Sequence, residues 1–201
     1  MVNGTADWHE AAYTQKMFRI LLSSMSRPGR IQSTENLPHP AASTGYHPSF
    51  LGIGLTVLDQ EVSYSLPSSI GDLASLIRGM TMARQINEEK ADYLFIKGEE
   101  AFDSTRLRKG SLLYPEQSST VICLVNALTN EPMTGGVRLL LTGPGIKETQ
   151  TLVLDTLHPQ SLDSWLETNK EFPLGIDWIF VDQSGRVCAV PRSTEIIREV
   201  V

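Results

Sequence analysis

The stretch Phe172–Thr194, FPLGIDWIFVDQSGRVCAVPRST, decides how the fold is read. Two apolar runs, Trp178–Val181 and Val187–Val190, stand on either side of Asp182-Gln183-Ser184-Gly185-Arg186. Short apolar runs bounded by turn residues predict the two strands of a hairpin. The flanks are more specific than the strands. Pro173 precedes the first run and Pro191 follows the second, and proline blunts a strand end because it has no N–H for the ladder. Gly175 permits positive φ or a close backbone approach. Asp177 lies at the mouth of the first strand and Arg192 just beyond its partner. A hairpin loop of four or five residues sets those two side by side. Two roles fit: an ion pair that fixes the sheet end, or an anion- or partner-binding site.

Working back toward the N-terminus, Met17, Phe18, Leu21, Leu22 and Met25 recur at helical spacing and predict one apolar helix face. Asp7 with Glu10 resembles a capping box that starts this helix near Trp8. Ser26-Arg27-Pro28-Gly29 ends it, because Pro28 cannot continue the ladder and Gly29 suits a turn. Ile31 opens a short extended segment, and residues 36–48, rich in Pro, His, Ser and Gly, form a loop. Phe50–Leu58 predicts a buried helix, Glu61–Leu66 a half-buried strand and Ile70–Met82 a helix. Tyr93–Ile96 is a short strand, and Ser104–Lys109 a short helix capped by Gly110. Further strands fall at Thr120–Val125, Val137–Thr142 and Thr149–Leu154, and a helix at Ser161–Asn169. Strands and helices alternate early and strands cluster late. That order predicts an α/β fold with a mixed sheet flanked by helices, a single domain over residues 1–201.

Composition narrows the function. With 201 residues, 41% hydrophobic and 20% charged, the chain is globular. Its net charge of −6 argues against nucleic acid as a partner, since binders of phosphate backbones carry a basic surplus. Two short basic groupings, at residues 27–30 and 106–109, read as solvated surface. Nothing reads as a membrane span or a signal peptide, so a cytoplasmic location is expected. Cys123 and Cys188 each sit in an apolar run and predict buried free thiols, and no paired Cys/His spacing suggests a metal.

Chemistry-bearing motifs are sparse. Leu141–Ile146, LTGPGI, resembles a phosphate loop only in its glycines. Pro144 has no N–H to give, Glu148 stands where a third glycine would be, and the residues that follow alternate. A turn between two strands fits better. Three of the four histidines lie by prolines in loops, His39, His47 and His158, with His158 the first candidate for a base because it lies one helix from the hairpin. Lys97 follows a strand, but the polar residues after it suggest a solvated loop lysine and not a Schiff base.

Three segments, Phe18–Ile31 (FRILLSSMSRPGRI), Leu139–Glu148 (LLLTGPGIKE) and Phe172–Thr194, together resemble the H-subunit family of the bacterial carbon–phosphorus lyase system for phosphonate breakdown. Ser193 stands where that family usually has a first threonine. The resemblance implies a fold similar to a degenerate pyridoxal-phosphate-dependent transferase that has lost its cofactor, so no cofactor is expected. It implies a homodimer that also joins the G, I and J subunits. It implies a part, with the G, I and L subunits, in forming alpha-D-ribose 1-methylphosphonate 5-triphosphate from ATP and methylphosphonate. The sequence offers no acid–base pair or activated nucleophile, which suits an accessory or scaffolding subunit. A vestigial anion pocket or partner site would involve Gly143, Gly145, Asp177 and Arg192. The alternative is a stand-alone phosphonate- or nucleotide-binding protein or enzyme on the same fold.

Overall fold

In the computed structural model, which describes residues 9–37 and 45–199, the two apolar runs form adjacent antiparallel strands. The strands are β1 (Gln32–Ser33), β2 (Ser63–Ser65), β3 (Arg84–Gln85), β4 (Tyr93–Lys97), β5 (Thr120–Val125) and β6 (Leu128–Thr129). They continue with β7 (Val137–Thr142), β8 (Gln150–Leu154), β9 (Asp177–Asp182), β10 (Arg186–Val190) and β11 (Glu195–Glu199). The α-helices are α1 (Glu10–Ser26), α2 (Pro48–Val57), α3 (Asp72–Thr81) and α4 (Pro159–Thr168).

The main sheet has the order β1-β10-β9-β5-β4-β2-β3. It is mixed: β9, β5, β4, β2 and β3 run parallel, β10 runs antiparallel to β9, and β1 antiparallel to β10. Its central strands are buried on both faces, which explains their unbroken apolar runs. Ile122, Leu124, Ile179, Val181, Val187 and Ala189 face one core with residues of α1, α2 and α3. Val121, Cys123, Trp178, Phe180, Cys188 and Val190 face a second core with Leu162 and Trp165 of α4. There Trp165 and Trp178 have ring centroids 4.9 Å apart, and Trp178 stacks on Phe180 at 5.6 Å. Leu139, Leu141, Leu152 and Leu154 of a separate antiparallel sheet, β11-β7-β8-β6, close the same core. One mixed sheet was expected. The late strands form a second sheet because Ile196 and the β7–β8 leucines present their own apolar face to the first.

Helix α1 begins at Glu10, with His9 as its N-cap, and Asp7 and Trp8 lie outside the described residues. The buried face is Tyr13, Met17, Leu21 and Ser24, which keeps Met17 and Leu21 of the predicted stripe, but Phe18 and Leu22 are about half exposed, at 51% and 54%. The stripe rotates because Tyr13 packs where Gly52 of α2 has no side chain, and Met17 and Leu21 follow at four-residue spacing. Gly29 takes φ 76° and ends the helix as the sequence predicts. The segment after Ser104 gives only a 3-10 turn, Ser104–Arg106, and Gly110 at φ 75° serves a turn against Pro115 instead of a helix cap. Part of the predicted 36–48 loop, residues 38–44 with His39, lies outside the described residues.

Candidate functional site

The hairpin flanks form the expected ion pair. Asp177 and Arg192 meet through two parallel bonds, Arg192 Nη2 to Asp177 Oδ2 at 2.7 Å and Nε to Oδ1 at 3.2 Å. The Arg192 backbone N–H adds a third to Oδ1 at 2.8 Å. Arg192 Nη1 reaches across the fold to the Pro115 carbonyl at 2.5 Å. Both side chains are largely buried, 13% and 16% exposed. A guanidinium held by a planar carboxylate fork and a carbonyl is a structural clamp. It ties the end of β9 and β10 to the 110–117 loop, whose Gly110 could not carry a Cβ because Pro115 O lies 2.6 Å from where it would sit.

The remaining flank residues serve the same joint. Gly175 has φ 140°, and a Cβ there would meet Asn169 Oδ1 at 2.7 Å and Arg192 Cβ at 3.2 Å. The Asn169 amide, just past α4, pairs with Ile176 as a strand neighbour would, accepting from its N–H at 2.8 Å and donating to its carbonyl at 2.9 Å. Gly175 N–H donates to Lys109 O at 3.0 Å. At the opposite end of the hairpin, the fully buried Asp182 accepts from the backbone N–H groups of Leu128, Ser184 and Arg186 and from Arg186 Nε. Asn169, Pro115 and Asp182 escaped the sequence reading of the site. An Asp before a Gly-containing turn is a signal for Asp182, but nothing local marks the other two.

The LTGPGI turn joins β7 to β8, as expected. Its two glycines are fixed by close neighbours on opposite sides. Gly143, at φ 127°, lies against the Ser193 carbonyl, 3.0 Å from an added Cβ. Gly145, at φ 84°, lies against the Ser26 carbonyl and Pro28 at the end of α1. Gly29 in turn packs on Gln150 and Leu141 of the same hairpin and donates to Ala189 O at 3.1 Å. Asn130 Nδ2 bridges the carbonyls of Gly29 and Thr151, at 3.0 and 2.7 Å. Three segments far apart in sequence, 26–30, 143–150 and 172–194, thus meet along one seam. Gly143 joins the ion-pair side of that seam and Gly145 the α1 side.

The histidines and lysines have other places. His158 and His47 are N-caps of α4 and α2, each accepting through Nδ1 from the backbone two residues on, both at 3.2 Å. The candidate base His158 is therefore a cap. Lys97 lies near Glu99 and Glu100, at 3.8 and 3.9 Å, and over the Tyr46 ring. Every lysine (16, 90, 97, 109, 147, 170) falls among the described residues and none is buried. Cys123 and Cys188 are buried free thiols, and burial pushes both thiol pKa values up. Among the described residues no group of His, Cys, Asp or Glu is placed to hold a metal, and no helix is long and apolar enough to cross a membrane.

Fold and seam define an α/β protein, with one mixed and one antiparallel sheet, whose most distinctive residues join one element to another. The chain belongs to the family described as bacterial phosphonate metabolism protein (PhnH), which matches residues 5–197 and is the family its three motifs resemble. It is similar to the putative C-P lyase subunit protein HtxG of Stutzerimonas stutzeri, 32% identical over 190 residues, with 93% of this chain and 87% of the relative covered. It is also similar to the alpha-D-ribose 1-methylphosphonate 5-triphosphate synthase subunit PhnH of Rhizobium meliloti (strain 1021). That relative is 29% identical over 187 residues, covering 92% of this chain and 90% of its own length.

Proposed function

We propose that this protein is the H-type subunit of a carbon–phosphorus lyase system. In this reading it takes part with G, I and L subunits in making alpha-D-ribose 1-methylphosphonate 5-triphosphate from ATP and methylphosphonate, in an accessory or scaffolding role. The observation that carries the role is the use made of the family motifs. Several of their residues, the glycines among them, are engaged in joining segments of this chain, with Asp177 and Arg192 the clearest case. The clamp holds the 110–117 loop, on which Leu112 and Leu113 are 75% and 83% exposed beside a half-exposed Tyr114. Apolar side chains that prominent mark an interaction surface. Asp177, Arg192, Gly143 and Gly145 therefore build a partner-facing framework, with the G, I and J subunits as partners and a homodimer as the form of the free chain.

The fold is that of a pyridoxal-phosphate-type transferase without the cofactor. A Schiff-base lysine needs a desolvated setting to lower its pKa, and the fact that none of the six lysines is buried supports a role without pyridoxal phosphate. The reading also places the protein in the cytoplasm. Co-expression with the G, I and J subunits, with a tag on this chain alone, tests it. Recovery of all four in fixed proportion is expected, with no turnover by the isolated chain. Recovery of this chain alone would refute the assignment.

A further inference from the structure

The two basic groupings of the sequence have different surroundings. Arg106 pairs with Glu88 and Glu89, and Arg108 with Asp92. Arg27 and Arg30 have no carboxylate partner among the described residues. They line an open pocket of about 370 Å³ between the end of α1 and the LTGPGI turn, and Lys147, equally unpaired, lines it from the other side. One carboxylate, Glu148, also lies there, so the local balance is three positive charges against one, in a chain whose net charge is −6. The backbone N–H groups of Gly145, Lys147 and Glu148 donate to no acceptor among the described residues.

The walls are fixed in place. Gly145 seats on Ser26 and Pro28, Gly29 on Leu141 and Gln150, and Asn130 bonds both sides. Three like charges held together on so acidic a protein repel one another, and nothing in the packing requires them. Arg27 alone has a structural use, beside the carbonyl end of α1. Arg30 and Lys147 have none. Cations converging with free backbone N–H groups on a concave surface match an anion of several charges.

We propose that the pocket formed by Arg27, Arg30 and Lys147 over the Gly145 turn binds a phosphate chain, as found in a nucleoside or ribose triphosphate. The choice of a triphosphate rests on the proposed place in the synthase system, whereas the cationic pocket does not. The site differs from the anion site read from the sequence: it keeps Gly145 and replaces the engaged Arg192 with cations that are free.

Calorimetric titration of the purified chain with inorganic tripolyphosphate, ATP, adenosine and methylphosphonate tests the site, alongside the Arg30→Ala/Lys147→Ala double variant. Both side chains are exposed and unpaired, so the variant should melt like the parent. Tripolyphosphate and ATP are expected to bind with similar affinity. Adenosine and methylphosphonate should not compete, and the variant should weaken binding by about ten-fold or more. No tripolyphosphate binding, or binding that the variant leaves unchanged, overturns the proposal. Loss of co-purified subunits in the variant, with no phosphate-chain binding by the parent, would also overturn it in favour of a protein contact. Four-subunit assembly without tripolyphosphate binding removes the site and leaves the subunit role. Binding that the variant abolishes, in a chain that never assembles, supports the site and removes the role.

Discussion

Replacing Arg192 by alanine tests the clamp most directly. The substitution removes two bonds to Asp177 and one to the Pro115 carbonyl, but keeps the backbone N–H that also serves Asp177. An exposed ion pair contributes about 0–1 kcal/mol. Breaking a buried one costs about 3–5 kcal/mol, because the remaining charge loses its compensation. At 13% and 16% exposure this pair lies near the buried end, and the retained backbone bond to Asp177 lowers the cost. The expected destabilisation is about 2–4 kcal/mol. For a chain of this length each kcal/mol lowers Tm by roughly 2–4 °C, so a fall of about 6–12 °C is expected for a loss near 3 kcal/mol. Urea unfolding of the parent, Arg192→Ala, Asp177→Ala and the double variant gives the coupling energy. A value above about 1.5 kcal/mol is expected for groups in direct contact. A loss below about 0.5 kcal/mol in Arg192→Ala, with no coupling, would refute the clamp and leave the guanidinium free for a ligand.

Two further outcomes follow from the same geometry. Gly145→Ala combines a positive φ with a Cβ driven onto the Ser26 carbonyl, and should cost about 1–3 kcal/mol in chemical unfolding, whereas Gly135→Ala, equally positive in φ but in open space, should cost less. Asp92 is partly buried, which raises its pKa, but bonds from Ser63 and Arg108 more than reverse that and hold it below the ordinary 3.8. A lowered folded pKa gives stability that is present above pH 3.8 and lost as pH falls through the folded value. Parent stability should therefore drop in acid more steeply than that of Asp92→Asn, and parallel pH profiles would refute the assignment.

The sequence by itself determined the local elements. Pro28 and Gly29 end α1, and the apolar runs of β4, β5, β9 and β10 carry the main sheet. The prolines and Gly175 around the hairpin already implied a special joint, and Asp177 with Arg192 was legible because a short hairpin loop brings strand ends together. These features depend on residues close in the chain, where spacing alone fixes geometry.

Tertiary structure decided the rest. Which α1 side chains face inward depends on Gly52, which leaves room for Tyr13. The late strands separate into a second sheet because they bury a face of their own against α4 and β9. The short β3 and β6 have too few residues, and β11 too weak an apolar pattern, to announce themselves, and they exist through the partners they pair with. The role of each basic residue followed the same rule. Arg27, Arg30, Arg106 and Arg192 look alike in the chain, and only the carboxylates and carbonyls brought near by folding separate a clamped guanidinium from a free one. Charge is written in the sequence, but its partner is chosen by contacts between segments apart in the chain, 77 residues apart for Arg192 and the Pro115 carbonyl.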